Sequence, residues 1–286
     1  MPEVYLNGEF LPLEEARVSV MDRGFLFGDG VYEVIPAYGG RPFRLAQHLD
    51  RLDYSLAAIR MDNPLPREEW RWILERLTGA APGVDRMIYL QVTRGADAKR
   101  HHLFPLSAEP TRFVMAWDAK PRDPAIEAQG IAAVTLEDFR WLRCDIKSIA
   151  LLGNVLLRQA AEDAGAEESI LIRDGCATEG SSTNLFLVRA GELATPPKGH
   201  LLLPGITRDL VLELAREAGI PCREREVRAE ELAAADEIWI SSSSREVEPV
   251  TRLDGEPVGD GVPGPQWRRM DALFQDYKGR LRAGHA

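Results

Sequence analysis

The sequence is poor in cysteine, with Cys144, Cys176 and Cys222 the only three in 286 residues. Their spacing matches neither a disulfide framework nor a metal site, and so sparse and odd a set fits a reducing cytosol. It is also poor in positive charge: 35 Lys and Arg against 45 Asp and Glu leave a formal net charge of −10. That balance argues against non-specific nucleic-acid binding, which needs a basic face. It also requires any anionic substrate to be captured by local arginines against the overall field. No apolar run approaches the ~18 residues that span a bilayer. The opening Met1 to Tyr5 lacks the basic and apolar stretches of a secretory signal, so a cytoplasmic protein is expected. Internal repeats and low-complexity tracts are missing too. What remains, 45% hydrophobic and 28% charged, is ordinary globular composition for one large domain or two medium ones.

Val4 to Phe10 reads as a hairpin around Asn7-Gly8, a favoured type I′ pair. Asp22 to Gly30 reads as a glycine-punctuated loop before a strand, Val31 to Ile35. Its glycines either make a tight corner or allow close approach to a ligand and aim Tyr32 into a cavity. Because a strand follows, the spacing is not a dinucleotide fingerprint. Residues 46–60 carry Leu49, Leu52, Leu56 and Ile59 on one helical stripe. Arg51 falls off that stripe and, taken alone, reads as solvated. Pro66 opens a second helix with Trp70, Ile73, Leu74 and Leu77 inward. Strands are expected over 86–94 and 111–117. The loop from Gly95 to Phe104 carries Lys99-Arg100-His101-His102, an exposed basic run or a carboxylate-binding cluster.

Asp118 to Pro124, with two prolines and no periodicity, is the best linker in the chain. The expected organisation is therefore an N-terminal α/β domain over 1–117, a linker over 118–124, and a strand-rich C-terminal domain over 125–286.

The second part centres on Trp141 to Asn154. There Lys147 lies in mostly apolar company, with an extended segment in front and a helical pattern behind. Partial desolvation of a lysine exposes the nucleophilic amine that Schiff-base chemistry requires, although most lysines are simply solvated. The helix after it is expected to place Ile149, Leu152, Leu156 and Ala160 on one face. Glu179, followed by Gly180-Ser181-Ser182, is either a polar turn or a carboxylate beside hydroxyl donors. Thr207 reads as the N-cap of a helix preceded by Gly205, and such a start presents amides to an anion. Ser241 to Ser244 follow a buried-looking strand as a loop or as hydroxyl donors. Asp254-Gly255 turns a further hairpin, and a closing helix bears Trp267, Met270, Phe274 and Tyr277. A lysine amine, a carboxylate and several anion donors are the set that pyridoxal phosphate needs.

These motifs resemble the fold-type IV pyridoxal-phosphate aminotransferases, and among them the D-amino-acid (D-alanine) aminotransferases. The resemblance runs nearly end to end. It rests on Asp22-Arg23-Gly24, Phe27 to Val34, His48 to Leu52, Gln91 to Gly95, Trp141 to Gly153, Thr178 to Ser182 and Gly205 to Asp209, with the serine run; Trp141 to Gly153 is the most specific. It implies that Lys147 bonds the cofactor and moves the proton, and that Glu179 pairs with the pyridine nitrogen. It implies a phosphate site from Arg51, Ile206, Thr207 and Ser242 or Ser243, with Leu203 and Ser182 lining the cofactor pocket. Tyr32, Arg100 and His102 would take the α-carboxylate, the last two from the partner subunit of a homodimer. The implied reaction is ping-pong transfer of an amino group from a D-amino acid, D-alanine first, to a 2-oxo acid such as 2-oxoglutarate. Branched-chain L-amino-acid aminotransferases and aminodeoxychorismate lyase share the fold, and a non-catalytic cofactor-binding protein is a third reading. One departure stands out: the 95–102 loop is one residue longer than the family pattern, with Lys99 and His101 beside the expected pair.

Overall fold

The computed structural model describes residues 2–79 and 83–285. It divides into two compact units. One comprises Met1–Lys120, Ile146–Leu151 and Lys278–Ala286; the other comprises Pro121–Asp145 and Leu152–Tyr277. The expected single cut at 118–124 assigned residues 146–151 to the second part. The structure groups them with the first unit, where they run beside a strand.

In the first unit the strands are β1 (Glu3–Leu6), β2 (Glu9–Pro12), β3 (Gly30–Tyr38), β4 (Arg41–Pro42), β5 (Arg86–Thr93) and β6 (Thr111–Asp118). They form one antiparallel sheet in the order β2-β1-β6-β5-β3-β4. Asn7 and Gly8 take the positive φ angles, 51° and 108°, of the expected tight turn. The helices are α1 (Arg23–Phe27), α2 (Leu45–Ala58) and α3 (Arg67–Gly79). Leu49, Leu52 and Leu56 of α2 and Trp70, Ile73, Leu74 and Leu77 of α3 pack onto Val31, Ile35 and Ile88 of the sheet.

The expected loop over 22–30 is corrected here: it contains α1. Asp22 caps it by accepting from the Gly24 amide, and Gly28 ends it in the left-handed conformation. The close approach its glycines permit is to the chain itself. A Cβ on Gly28 would lie 3.1 Å from that of Ala150, and one on Gly30 would lie 2.6 Å from the Val92 carbonyl oxygen.

In the second unit, α4 (Pro124–Gln129) precedes β7 (Ile131–Glu137), α5 (Leu152–Asp163), β8 (Glu168–Arg173), β9 (Cys176–Gly180), β10 (Asn184–Arg189) and β11 (Glu192–Thr195). Then come α6 (Ile206–Glu217), β12 (Cys222–Glu224), β13 (Val227–Arg228), α7 (Ala229–Leu232), β14 (Glu237–Ser242), β15 (Glu246–Leu253), β16 (Glu256–Pro257) and α8 (Pro265–Ala283), whose residues from Lys278 on are grouped with the first unit. The sheet is mixed, ordered β12-β11-β10-β14-β15-β7-β8-β9-β13, with β16 on β15. Leu185, Leu187, Ile238, Ile240 and Val250 form its dry centre. Trp267, Met270 and Phe274 of α8 are buried, as the period of the closing helix predicts.

Two expectations fail in this unit. Thr207 is not a cap, because Gly205 holds that position and Thr207 lies in the first turn. Helix α5 starts at Leu152, so Ile149 is outside it, and it buries Leu157 and Ala161 while Leu152 and Leu156 are exposed. All three cysteines are free. Among the described residues, no helix is long and apolar enough to cross a membrane.

Candidate active site

Lys147 is placed by backbone pairing. Ser148 bridges Val31 in antiparallel register. The Tyr32 amide donates to the Lys147 carbonyl at 2.9 Å, and the Ile149 amide donates to Gly30 at 3.1 Å. The Lys147 amide donates to the Ser55 hydroxyl on α2 at 3.2 Å. A residue held at its amide and its carbonyl has little freedom at Cα, so its long side chain swings from a fixed root. Its Nζ stands 4.2 Å from the Tyr32 ring centroid, a cation–π contact. The structure thus brings Lys147 and Tyr32 together.

Arg51 is nearby on α2 and is not solvated. It is 7% exposed and grips Glu33 of β3 by a two-point fork, with Nε donating to Oε1 and Nη2 to Oε2, each at 2.7 Å. Strand alternation turns Glu33 toward the apolar side with Val31 and Ile35, and that position demands a partner. His48, one turn earlier on α2, adds a 2.8 Å contact from Nδ1 to Glu33 Oε2. Burial opposes the charge on Glu33, but Arg51 and His48 prevail and pull its pKa down to about 2. Burial lowers the His48 pKa, with Arg51 and Lys147 adding to the effect.

Glu179 lies on β9 in the second unit, 4% exposed, in a strand and not in the polar turn that was one reading of it. Oε1 accepts from Arg140 Nη1 at 2.7 Å. Oε2 accepts from the Leu203 amide at 2.9 Å and from Asn184 Nδ2 at 3.3 Å. Burial pushes the carboxyl up to about 7, against the downward pull of Arg140. Arg140 is itself engaged elsewhere: its Nε and Nη2 donate to Asp138 at 2.9 and 3.0 Å. Asp138 also pairs with Arg173 at 3.0 Å.

Ile206 and Thr207 form the buried first turn of α6. Asn184 donates to the Leu203 carbonyl at 2.8 Å, and its Oδ1 lies 1.9 Å from where a Gly205 Cβ would be. Glycine is therefore required there, and the loop that carries Glu179's amide donor also leads into α6. Ser242 accepts from the Arg245 amide at 3.2 Å, while Ser243 is half-buried in the turn between β14 and β15. The buried Ser241 hydroxyl lacks a hydrogen-bond partner among the described residues. Ser182 is exposed and donates to Glu168 at 3.3 Å. Glu168 is fully buried and also accepts from the Ser181 amide and hydroxyl and from Thr183. It fixes the Ser181–Thr183 turn.

Arg100 and His102 are exposed in the first unit, both against the Phe27 ring: the Arg100 guanidinium carbon is 4.9 Å from its centroid and the His102 ring 5.4 Å. His101 turns to Asp97, with Nε2 3.2 Å from Oδ2. The structure therefore separates Arg100 and His102 from their extra neighbour His101.

Sequence reasoning missed Glu33, His48, Arg140 and Asp138. Glu33 and His48 had one available signal, a charged residue at a buried strand phase and a histidine three residues before Arg51. Arg140 and Asp138 had none.

The donor types in the two units are those a pyridoxal phosphate takes. The first unit has a primary amine on a fixed root; the second has a buried carboxyl whose pKa is pushed up to about 7 by burial, and a helix start closed behind by Asn184. Known proteins point the same way. Residues 30–253 match the Amino-transferase class IV family. D-alanine aminotransferase of Bacillus licheniformis is 42% identical over 275 residues, 96% of either chain. That of Staphylococcus epidermidis is 42% identical over 279 residues, 97% of this chain and 98% of its own. Among solved structures, the branched-chain amino acid aminotransferase of Escherichia coli superposes with a TM-score of 0.88 at 29% identity, covering 96% of this chain and 94% of its own. The T.th. branched-chain amino acid aminotransferase with pyridoxamine 5′-phosphate gives 0.88 at 27%, covering 100% and 95%. With the family matched across most of its length, the chain belongs to the class IV amino-transferases.

Proposed function

We propose that the protein is a pyridoxal-phosphate-dependent D-amino-acid transaminase, moving the amino group of D-alanine to a 2-oxo acid such as 2-oxoglutarate by a ping-pong mechanism. The observation that carries the reading is Glu179, a buried carboxyl held near pH 7, the condition for sharing a proton with a weakly basic ring nitrogen. When bound, the cofactor supplies an electron sink for the charge left on the substrate Cα. The chain's residues do the rest. Lys147 would hold the cofactor through Nζ, and the same nitrogen would take the proton from the substrate Cα. Glu179 keeps a proton at the ring nitrogen, and preorganised charge at that point lowers the barrier. Arg51, the Ile206 and Thr207 amides, the Thr207 hydroxyl and Ser242 or Ser243 bind the phosphate. Leu203 and Ser182 line the pocket. Tyr32 meets the substrate, and Arg100 and His102 of a second copy in a homodimer take the α-carboxylate. The protein works in the cytoplasm, without nucleic acid or membrane.

The D-alanine assignment draws on relatives of that name at about 42% identity across the chain. The second reading, a branched-chain L-aminotransferase, is favoured by the solved structures, although at 27–29% identity. One half-reaction separates them. Purified holoenzyme is mixed with D-alanine, L-alanine, L-leucine or (R)-phenylethylamine, and loss of the cofactor's visible absorbance is followed. D-alanine is expected to bleach it fastest; bleaching by L-leucine and not by D-alanine refutes the proposal. Lys147→Ala should abolish turnover, and substantial residual transamination would remove the lysine from its role.

A further inference from the structure

The Asp22-Arg23-Gly24 motif and Phe27 have no part in the proposed chemistry, yet they are built around the loop that carries Arg100 and His102. An exposed arginine samples many rotamers, and ordering one costs conformational entropy. In a chain of net charge −10, a carboxylate trap cannot rely on the long-range field, so its donors must be held in place beforehand.

Two contacts hold them here. Arg23 is a buried arginine, 4% exposed, that reaches into the loop backbone. Its Nη1 donates to the His101 carbonyl at 2.8 Å and to Leu103 at 3.3 Å, and its Nη2 donates to His102 at 3.5 Å. Its Nε donates to Asp29 at 2.8 Å. Asp29 takes Arg94 as well, at 2.9 and 3.1 Å, and Arg94 lies 3.8 Å from the Phe104 ring centroid at the far end of the loop. One carboxylate therefore orients the two arginines that grip the loop. Phe27 then serves the side chains. Arg23 lies 4.8 Å from its centroid, and Arg100 and the His102 ring share the same phenyl group. The ring is a firm platform because α1 is closed by Asp22 at one end and Gly28 at the other. His101 is held off this face by Asp97 and by the Leu103 carbonyl, 3.0 Å from its Nδ1. His101 is thus turned away from the ring that Arg100 and His102 share.

We propose that Phe27 and Arg23 are positioning residues for carboxylate recognition: Phe27 aligns the Arg100 and His102 side chains, and Arg23 sets the backbone that bears them. The proposal rests on the reading of Arg100 and His102 as the α-carboxylate site. It distinguishes substrates by the charge of that group and leaves the chemistry at Cα untouched.

The test compares D-alanine with D-alaninamide, the same amine without the carboxylate, in the half-reaction of holoenzyme. Phe27→Leu keeps the apolar volume and removes the ring; it should weaken D-alanine binding roughly tenfold, the scale of a cation–π contact plus alignment. D-alaninamide binding should move less than twofold, with the bleaching rate at saturation little changed. Phe27→Tyr keeps the ring and should restore discrimination. Arg23→Lys keeps a charge beside Asp29, loses the fork on the carbonyls, and should repeat the Phe27→Leu pattern; it decides the matter if Phe27→Leu does not bind cofactor. Equal losses for both ligands, or none for D-alanine, overturn the proposal. Arg100→Ala separates the two levels. If it discriminates and Phe27→Leu does not, the positioning role alone falls. If Arg100→Ala affects both ligands equally, the carboxylate site itself is wrong and this inference falls with it.

Discussion

Glu33 in the first unit and Glu179 in the second are both buried, and each has a guanidinium nitrogen 2.7 Å away. Yet Glu33 is pulled down to about 2 and Glu179 is pushed up to about 7. Burial raises both, so the difference lies in the partners. Arg51 meets both oxygens of Glu33 and His48 adds a further contact. Arg140 meets one oxygen of Glu179 and gives its other donors to Asp138, whose negative charge also raises Glu179. A guanidinium shared between two carboxylates stabilises each less than one devoted to a single carboxylate. The first arrangement makes a permanent counter-ion that fixes Arg51. The second keeps a carboxyl that can take or release a proton near neutral pH, as proton sharing with a cofactor nitrogen requires.

The largest effect expected from breaking this contrast is in stability. Glu33→Gln removes the buried charge that faces Arg51 and should cost about 3–5 kcal/mol at pH 7, read from denaturant melts. Because Glu33's folded pKa is depressed, its contribution is present above the unfolded value of 4.5 and is lost as pH falls toward about 2. The gap between wild type and variant should therefore close across that window. A gap that does not change with pH would refute the assignment.

Glu179→Gln should act on chemistry instead, lowering the half-reaction rate constant roughly 10²-fold. Its pH signature runs the other way. The folded pKa is raised, so in cofactor-free protein the contribution of Glu179 is present below 4.5 and is lost as pH rises to about 7. Wild type should lose stability relative to Glu179→Gln over that interval, which melting temperatures across pH would reveal.

Asp138→Asn sharpens the cause. It frees Arg140 for Glu179, so the Glu179 pKa should fall and the acid limb of kcat/KM should move to lower pH; a limb that stays put would acquit Asp138. The smallest effect concerns Thr178, whose hydroxyl lies 3.2 Å from Asp138 Oδ2 and 3.3 Å from the Leu171 carbonyl. Thr178→Val should cost about 1 kcal/mol of stability, with a slight shift of the same limb.

Much of the fold could be read from the chain because its signals are local. The Asn7-Gly8 and Asp254-Gly255 turns and the stripe of α3 follow from neighbours within a few residues. The misreadings share a cause as well. Arg51 lies off the leucine stripe, but α2 also buries His48 and Ser55, so its inward arc is wider than that stripe. Leu152 and Leu156 form an apolar stripe, yet this unit buries Leu157 and Ala161, and apolar periodicity does not say which neighbour covers it. Thr207 is a good cap by type, but Asn184 occupies the space behind Gly205, and the cap and helix start lie two residues earlier.

By itself, the sequence determined the kinds of elements, their rough order and the chemical types in play: an amine at 147, a carboxyl at 179, hydroxyls and a helix start for an anion. Those follow from short-range period, turn chemistry and motif. Only the tertiary structure decided which charges are fixed and which are free to titrate. Glu33 and Arg51 meet across 18 residues of sequence and Arg140 and Glu179 across 39, so their shared desolvation, and with it the behaviour of each carboxyl, exists only once the chain has folded.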